Sequence, residues 1–381
     1  MQTPTTLYLD YAATTPLSDA TRSAMLPWLS DGFANASGLY AGAREARKAI
    51  DEAREAIATA VAARPEEIVF TSGGTEADNL AIKGAAWHGR DQGRDGIVMS
   101  AFEHHAVLDP ADWMARSGFR VTRVPVTPDG IVDLDALRDA VDAKTAIVSV
   151  MWANNEVGTI QPVAEAAAIA RDRGAVFHSD AVQALPWIPV GIHDADMISL
   201  AAHKCHGPKG VGALVVRRGT RLQPLLHGGG QERGVRSSTY NTPGIVGFAD
   251  AVTAAMRDRD EAAVRVAALR DRLQESLVSR LGGVHVNAAG APRLPNHLSV
   301  GIDGIESEPL LLLLDAAGVA ASAGSACQSG ASEPSYVLRA MGVADPLAAG
   351  VLRLTLGRPT TTDEVDRAVE AIVAAVGRLR G

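Results

Sequence analysis

Only five lysines occur in the 381 residues: Lys48, Lys83, Lys144, Lys204 and Lys209. Lys204 and Lys209 alone directly follow a run that reads as a strand, in Ser199-Leu-Ala-Ala-His-Lys-Cys-His-Gly-Pro-Lys-Gly210. A lysine at a strand end can form a Schiff base once partial burial lowers its pKa; two solvated loop lysines are the plain alternative. His203, Cys205 and His206 are metal-type side chains, yet neither CxxC nor HExxH accompanies them. Neighbours in an extended segment also point to opposite faces, so no metal site is expected. Two cysteines make no disulfide framework, so either could be a free, reactive thiol. Cys327 lies among small residues and glycines, in Ala321-Ser-Ala-Gly-Ser-Ala-Cys-Gln-Ser-Gly-Ala331. That context predicts a mobile, exposed loop, where a thiol of pKa about 8.5 is partly thiolate and nucleophilic; a tolerated exposed cysteine is the alternative.

Other polar residues recur at strand ends. Thr71-Ser-Gly-Gly-Thr-Glu-Ala-Asp-Asn79 reads as a strand–turn–helix junction. Its glycines would let backbone N–H groups at Gly74 and Thr75 approach a phosphate; Thr75 could instead only cap the helix. In His178-Ser-Asp-Ala-Val-Gln183, Asp180 could pair with a protonated ring nitrogen, with Gln183 following; a capping-box variant is the alternative. His104 or His105 could stack on a planar cofactor and shuttle protons, or be a hydrogen-bonded surface residue. Asn154-Asn155-Glu156 follows another strand, as ligand site or as turn. The Gly-rich segment His227–Thr239 could approach a phosphate in its own or a neighbouring subunit, or serve as a connector. Arg353, in Val-Leu-Arg-Leu-Thr-Leu, could hold a substrate carboxylate bidentately or make a surface ion pair.

These residues need a scaffold that brings strand ends together. Apolar runs at Ile68–Thr71, Ile97–Ser100, Val121–Val126, Ala146–Met151, Ala175–Phe177, Met197–Leu200 and Ala213–Val216 alternate with helix-length segments. That alternation predicts an α/β fold with a mostly parallel sheet and ligands beyond its carboxyl edge. Residues 37–63 and 248–281 read as charged helices and 362–379 as a final helix. Short runs at His297–Ile302 and Val351–Leu356 lie between the last two and give an α+β texture. The expected division is a large unit over 16–250 and a smaller one formed by 1–15 and 251–381. With 36 basic against 44 acidic residues the net charge is −8, which argues against direct nucleic-acid binding and a polybasic membrane anchor. No secretory signal or long apolar stretch is read, so a cytoplasmic location is expected.

In this order the motifs resemble the cysteine desulfurases of the NifS/IscS group, pyridoxal-phosphate enzymes related to class V aminotransferases. The match includes Leu9-Asp10 with Ala12-Ala-Thr-Thr-Pro16, Thr71–Asn79, Ala153–Ile160, Ser179–Gln183 and His203-Lys204. It continues through Gly207–Gly212, Gly228–Arg233, Gly324-Ser-Ala-Cys327 and Pro334–Leu338. The resemblance implies fold type I of such transferases, a seven-stranded sheet flanked by helices plus a smaller α+β domain.

It makes Lys204 the Schiff-base lysine, Asp180 the partner of the ring nitrogen and His104 the stacking, proton-transferring residue. Gln183 and Asn155 would contact cofactor and substrate. Gly74, Thr75 and His203 would bind the phosphate, with Thr239 reaching in from the second subunit of a homodimer. Arg353 would take the carboxylate of L-cysteine, and Cys327 its sulfur, as a persulfide for acceptor or scaffold proteins. Iron–sulfur assembly (with Cys327 reaching a cluster in transfer), tRNA thiolation and DNA phosphorothioation are the destinations implied, and the similarity extends to phosphorothioation desulfurases. Ala201, Tyr11, Tyr40 and Cys205 depart from the group's pattern at the pocket wall. A selenocysteine lyase, a class V aminotransferase or a non-catalytic scaffold are the rival readings.

Overall fold

The computed structural model describes residues 6–324 and 335–381. After β1 (Leu7–Tyr8) come α1 (Asp19–Leu29) and α2 (Ala41–Ala60). The chain then alternates through β2 (Ile68–Thr71), α3 (Gly74–Arg90), β3 (Gly96–Ser100), α4 (His105–Arg116), β4 (Arg120–Val124) and α5 (Leu134–Ala140). It continues with β5 (Thr145–Ser149), α6 (Val163–Asp172), β6 (Val176–Asp180), β7 (Met197–Ala201) and β8 (Gly212–Val216). Strands β2 to β8 form one seven-stranded sheet in the order β2-β8-β7-β6-β5-β3-β4. Only β8 runs against its neighbours, β2 and β7; the other pairs are parallel.

Helices cover both faces, so β2, β3, β5 and β7 are buried at every position and read as continuous apolar runs. Edge strand β4 is the exception. Its Arg120 and Arg123 stand exposed and pair with Asp95 and Asp112, which blunts the open edge. This strand stops at Val124, two residues short of the expected end, because Pro125 has no N–H to continue the ladder.

The remaining elements are α7 (Thr242–Arg257), α8 (Arg259–Arg280), β9 (Val284–Val286), β10 (His297–Ile302), α9 (Ser307–Ala316) and β11 (Val319–Ala320). They end with α10 (Tyr336–Ala340), α11 (Asp345–Ala349), β12 (Val351–Thr355) and α12 (Thr362–Arg380). The order β12-β10-β9 makes an antiparallel three-stranded sheet, and β1 pairs in parallel with β11. The single helix expected over 248–281 is broken at Asp258, whose carboxylate takes the Arg358 guanidinium. Arg358 also donates to Ala255 O at 2.8 Å, satisfying a carbonyl that the end of α7 leaves open. The helix expected over 37–63 is shorter, because α2 starts only after Tyr40 and its exit at Ala62 has φ +51°. Among the described residues no helix is long and apolar enough to cross a membrane.

Candidate active site

The carboxyl ends of the parallel strands bring the predicted residues together. Asp180 is the last residue of β6, and Lys204 sits in a short 3-10 turn directly after β7. His104 follows β3, and Asn155 lies beyond β5. A cavity of about 130 Å³ is lined by Ala12, Ala13, His104, Asn155, Gln183, Lys204 and Arg353, among others. Lys204 is half-buried, and its Nζ donates to Ala12 O and, at 2.9 Å, to Ala13 O. It is therefore held, not solvated, and a lone pair on Nζ lies at the cavity wall once the proton leaves.

Each neighbour has a defined protonation preference. His104 caps α4: its Nδ1 accepts from Ala106 N at 3.1 Å, which leaves the proton on Nε2. Burial lowers its pKa, so the neutral ring is favoured. Asp180 is raised by burial, while His104 and Lys204 act against that rise. Its Oδ1 accepts from Val182 N at 2.9 Å, closing a tight turn, and no helix begins there, so the capping-box alternative fails. Gln183 donates from Nε2 to Ala12 O at 2.9 Å, tying the N-terminal segment over the site.

Arg353 belongs to β12 and is only 2% exposed, so it is no surface residue. Its Nη1 donates to Asn155 O (3.0 Å) and Gly324 O (2.9 Å), and its Nη2 to Asp10 Oδ1 (2.7 Å). Among the described residues its Nε and the Asn155 Oδ1 are buried without a hydrogen-bond partner.

The phosphate-type residues lie at the start of α3. Gly73, not Thr75, is the N-cap, with φ +153° and ψ −179°, a conformation essentially restricted to glycine. A Cβ at Gly73 would meet nothing within 4 Å, whereas one at Gly74 would meet Val182 Cγ2 at 2.9 Å. Open space thus faces the first N–H groups of a 17-residue helix, and Gly74 lets that helix pack on the turn after Asp180. Thr75 is exposed and caps nothing. His203 has Nδ1 3.2 Å from Thr14 Oγ1, and burial pushes its pKa down to about 4. Thr239 is exposed and lines a separate cavity with Ser72 and Arg236, away from the Lys204 cavity.

Cys327 lies outside the described residues. Cys205 is buried and pushed up to about 12, an inert core thiol, which corrects the view that either cysteine is reactive. Among the described residues no group of three or more His, Cys, Asp or Glu can hold a metal. Three acids escaped sequence reasoning: Asp10 on Arg353, and the buried Asp78 and Glu103. For Asp10 and Asp78 the position inside the matched Leu9-Asp10 and Thr71–Asn79 motifs was the available signal; Glu103 carried none.

Fold and site define a lysine-centred pocket on the carboxyl edge of a parallel sheet, with an acid, a neutral histidine and an arginine around it. The family model for aminotransferase class-V matches residues 7–368, and the chain belongs to that family. The chain is 44% identical over 376 residues to a protein of Dictyoglomus turgidum (strain DSM 6724 / Z-1310) named cysteine desulfurase IscS, covering 98% of this chain and 95% of that one. A solved NifS-like protein superposes with TM-score 0.91 at 37% identity, over 98% of this chain and all of that chain, 100%. The crystal structure of DndA from Streptomyces lividans superposes with TM-score 0.77 at 35% identity, over 91% and 99%.

Members of this family depend on pyridoxal 5'-phosphate. The residues present fit that group: a held amine and two polar atoms unpartnered among the described residues at one cavity, a buried acid at the end of β6 and an open glycine-led helix start.

Proposed function

We propose that the chain is a pyridoxal-phosphate-dependent cysteine desulfurase that converts L-cysteine to L-alanine and passes the sulfur to its own Cys327. The observation that carries this reading is the half-buried Lys204 amine facing Arg353 and Asn155 across one cavity, in a chain whose relatives of 44% identity bear the desulfurase name. Lys204 would hold the cofactor, with Asp180 at its ring nitrogen, His104 on its face and Gln183 beside it. Gly74, Thr75 and His203 would take its phosphate. When bound, the cofactor supplies an electron sink for the substrate's α-carbon.

The chain's own residues do the rest. Arg353 Nε, with no partner among the described residues, offers a charge-assisted donor to the substrate carboxylate, and Asn155 Oδ1, likewise unpartnered there, would orient the substrate. Lys204 Nζ, once free of the cofactor, takes the α-proton and can return a proton to the alanine carbon. The neutral His104 holds its proton at Nε2, in place to pass it at the sulfur end. The thiolate of Cys327 attacks the substrate sulfur, the carbon–sulfur bond breaks, and a persulfide and alanine result.

A homodimer belongs to the same reading. Leu26, Leu29, Phe33, Leu39 and Tyr40 form an exposed apolar stretch, and Thr239 stands clear of its own chain's Lys204 cavity, available to a partner's phosphate site. Residues 16–250 would form the cofactor unit, and 1–15 with 251–381 the smaller one that carries Cys327. The persulfide would leave, in the cytoplasm, on an acceptor or scaffold protein of sulfur delivery, whether for iron–sulfur assembly, tRNA thiolation or DNA phosphorothioation.

Alanine release from L-cysteine, with reductant present, tests the reading. Wild type should form alanine and the Cys327→Ala variant should not. Equal alanine from both would remove Cys327 from the reaction and favour a lyase of selenocysteine type. None from either would point to an aminotransferase.

A further inference from the structure

His104 and His105 are neighbours in sequence, and the reaction above uses only the first. Both line the cavity that holds Lys204. His105 opens α4, and its Nδ1 lies 3.0 Å from Oδ1 of Asp109, one helical turn on. An ionised carboxylate only accepts, so Nδ1 carries the ring's proton and Nε2 the lone pair. His104 is arranged the other way round: its Nδ1 accepts from Ala106 N, which places its proton on Nε2. One cavity therefore holds two adjacent imidazoles in opposite tautomers, a donor at His104 and an acceptor at His105.

A His–Asp pair four residues apart on a helix is ordinarily a minor surface contact. Here only the Asp109 end is at the surface, its side chain 70% exposed. The other end of the ring is inside: Nε2 is buried and, among the described residues, has no hydrogen-bond partner. The ring meets that of Tyr336 edge to face, with centroids 4.8 Å apart and planes at 66°, and the Tyr336 hydroxyl donates to Glu103 O at 2.6 Å. Asp109 outside and Tyr336 inside thus fix the ring's orientation. Gly324, the last described residue before Cys327 in the chain, lines the same cavity.

We infer that His105, backed by Asp109, is the proton acceptor of the sulfur step: its Nε2 takes the proton that the attacking thiol gives up. This rests on the desulfurase reading above. The thiol's electron pair goes into the new S–S bond, and the carbon–sulfur pair stays on the substrate carbon, which takes a proton. The persulfide keeps the substrate's own S–H proton. The proton that His105 takes up therefore equals the one the carbon gains, and no oxidant or reductant is consumed. Asp109 stabilises the imidazolium that forms, and its exposure gives the proton a way to water.

The test uses the full, cofactor-loaded protein. H105A should lower kcat for alanine formation about 100-fold, the lower range for a lost general base, with KM within about threefold. Added imidazole should restore at least about tenfold of that loss. H105A turnover within twofold of wild type overturns the inference. A loss that imidazole leaves untouched, in protein that still carries cofactor, makes His105 structural and overturns it as well. D109N, at an exposed position, should lower kcat about threefold, the scale of an exposed ion pair, and an unchanged kcat contradicts the role of Asp109. Nitrogen-15 spectra at pH 8, assigned with H105A and H104Q, supply a readout without turnover: His105 should carry its proton on Nδ1 and His104 on Nε2. A His105 proton on Nε2 removes the acceptor and overturns the inference. If H105A fails to fold, D109N and the wild-type spectrum decide. Wild type that forms no alanine would sink the desulfurase reading, while the spectrum would still assign the two tautomers.

Discussion

Glu103 stands one residue before His104, its Oε1 accepting from Ser100 Oγ at 2.6 Å and Met151 N at 2.7 Å, and its Oε2 without a partner. Burial raises its pKa to about 8, against an unfolded value of about 4.3. Because the folded value is the higher, the folded state binds more protons between these limits. Stability from this group is full below about 4.3 and is lost as pH rises through 8, by about 1.4 kcal/mol per pH unit. His178 and His297, both buried and pushed down to about 3, act in the opposite sense: their contribution is lost as pH falls from about 6.5 toward 3. Wild type therefore has compensating slopes in mildly acid solution, and a variant is needed to expose one of them. Glu103→Gln should gain on wild type by about 1.4 kcal/mol per unit between pH 5 and 7.5 in urea unfolding. A constant difference across that range would mean that Glu103 ionises normally.

At the scale of elements, the Gly-rich segment after β8 is fixed from inside. Glu232 and Arg233 both adopt positive φ, +47° and +57°, in a 3-10 turn that glycine would enter more readily. What holds them is the buried pair of Arg54 on α2 with Glu232, at 2.6 Å, together with Phe70 N donating to the same carboxylate at 2.9 Å. Nearby, Arg236 pairs with Glu76 in the first turn of α3 at 2.7 Å. The segment is thus clamped to α2, β2 and α3, the same elements that present the helix start. Arg54→Met leaves the Glu232 carboxylate uncompensated and should cost about 3–5 kcal/mol in chemical denaturation. A loss below about 1 kcal/mol would show that the clamp is already open to water.

For the whole molecule, the apolar stretch around Phe33, itself 86% exposed, predicts a mutual interface. On the homodimer proposed above, Phe33→Glu should shift sedimentation from dimer to monomer and abolish alanine formation, because each site would lose the Thr239 proposed to reach it from the partner. A dimer that persists, or a fully active monomer, would contradict the arrangement. Most of the sheet was readable from the sequence, since strands buried on both faces carry unbroken Val and Ile runs, and residues after such runs collect at one edge. Lys204, Asp180 and His104 stood out for that reason. Asp78 did not, because apart from its motif nothing in an Ala-rich helix tells which acid turns inward. Nor did the Arg54–Glu232 pair, whose partners lie 178 residues apart. The break at Asp258 was hidden too, since helical periodicity runs straight through it and only Arg358 from a later segment pins it. The central claim is that the pocket around Lys204 is the cofactor site. Borohydride reduction of the cofactor-loaded protein, followed by peptide mass spectrometry, tests it most directly. The account predicts one pyridoxyl group per chain, on the peptide carrying Lys204; a label on Lys83 or Lys209 instead, or none in protein that binds the cofactor, would contradict it.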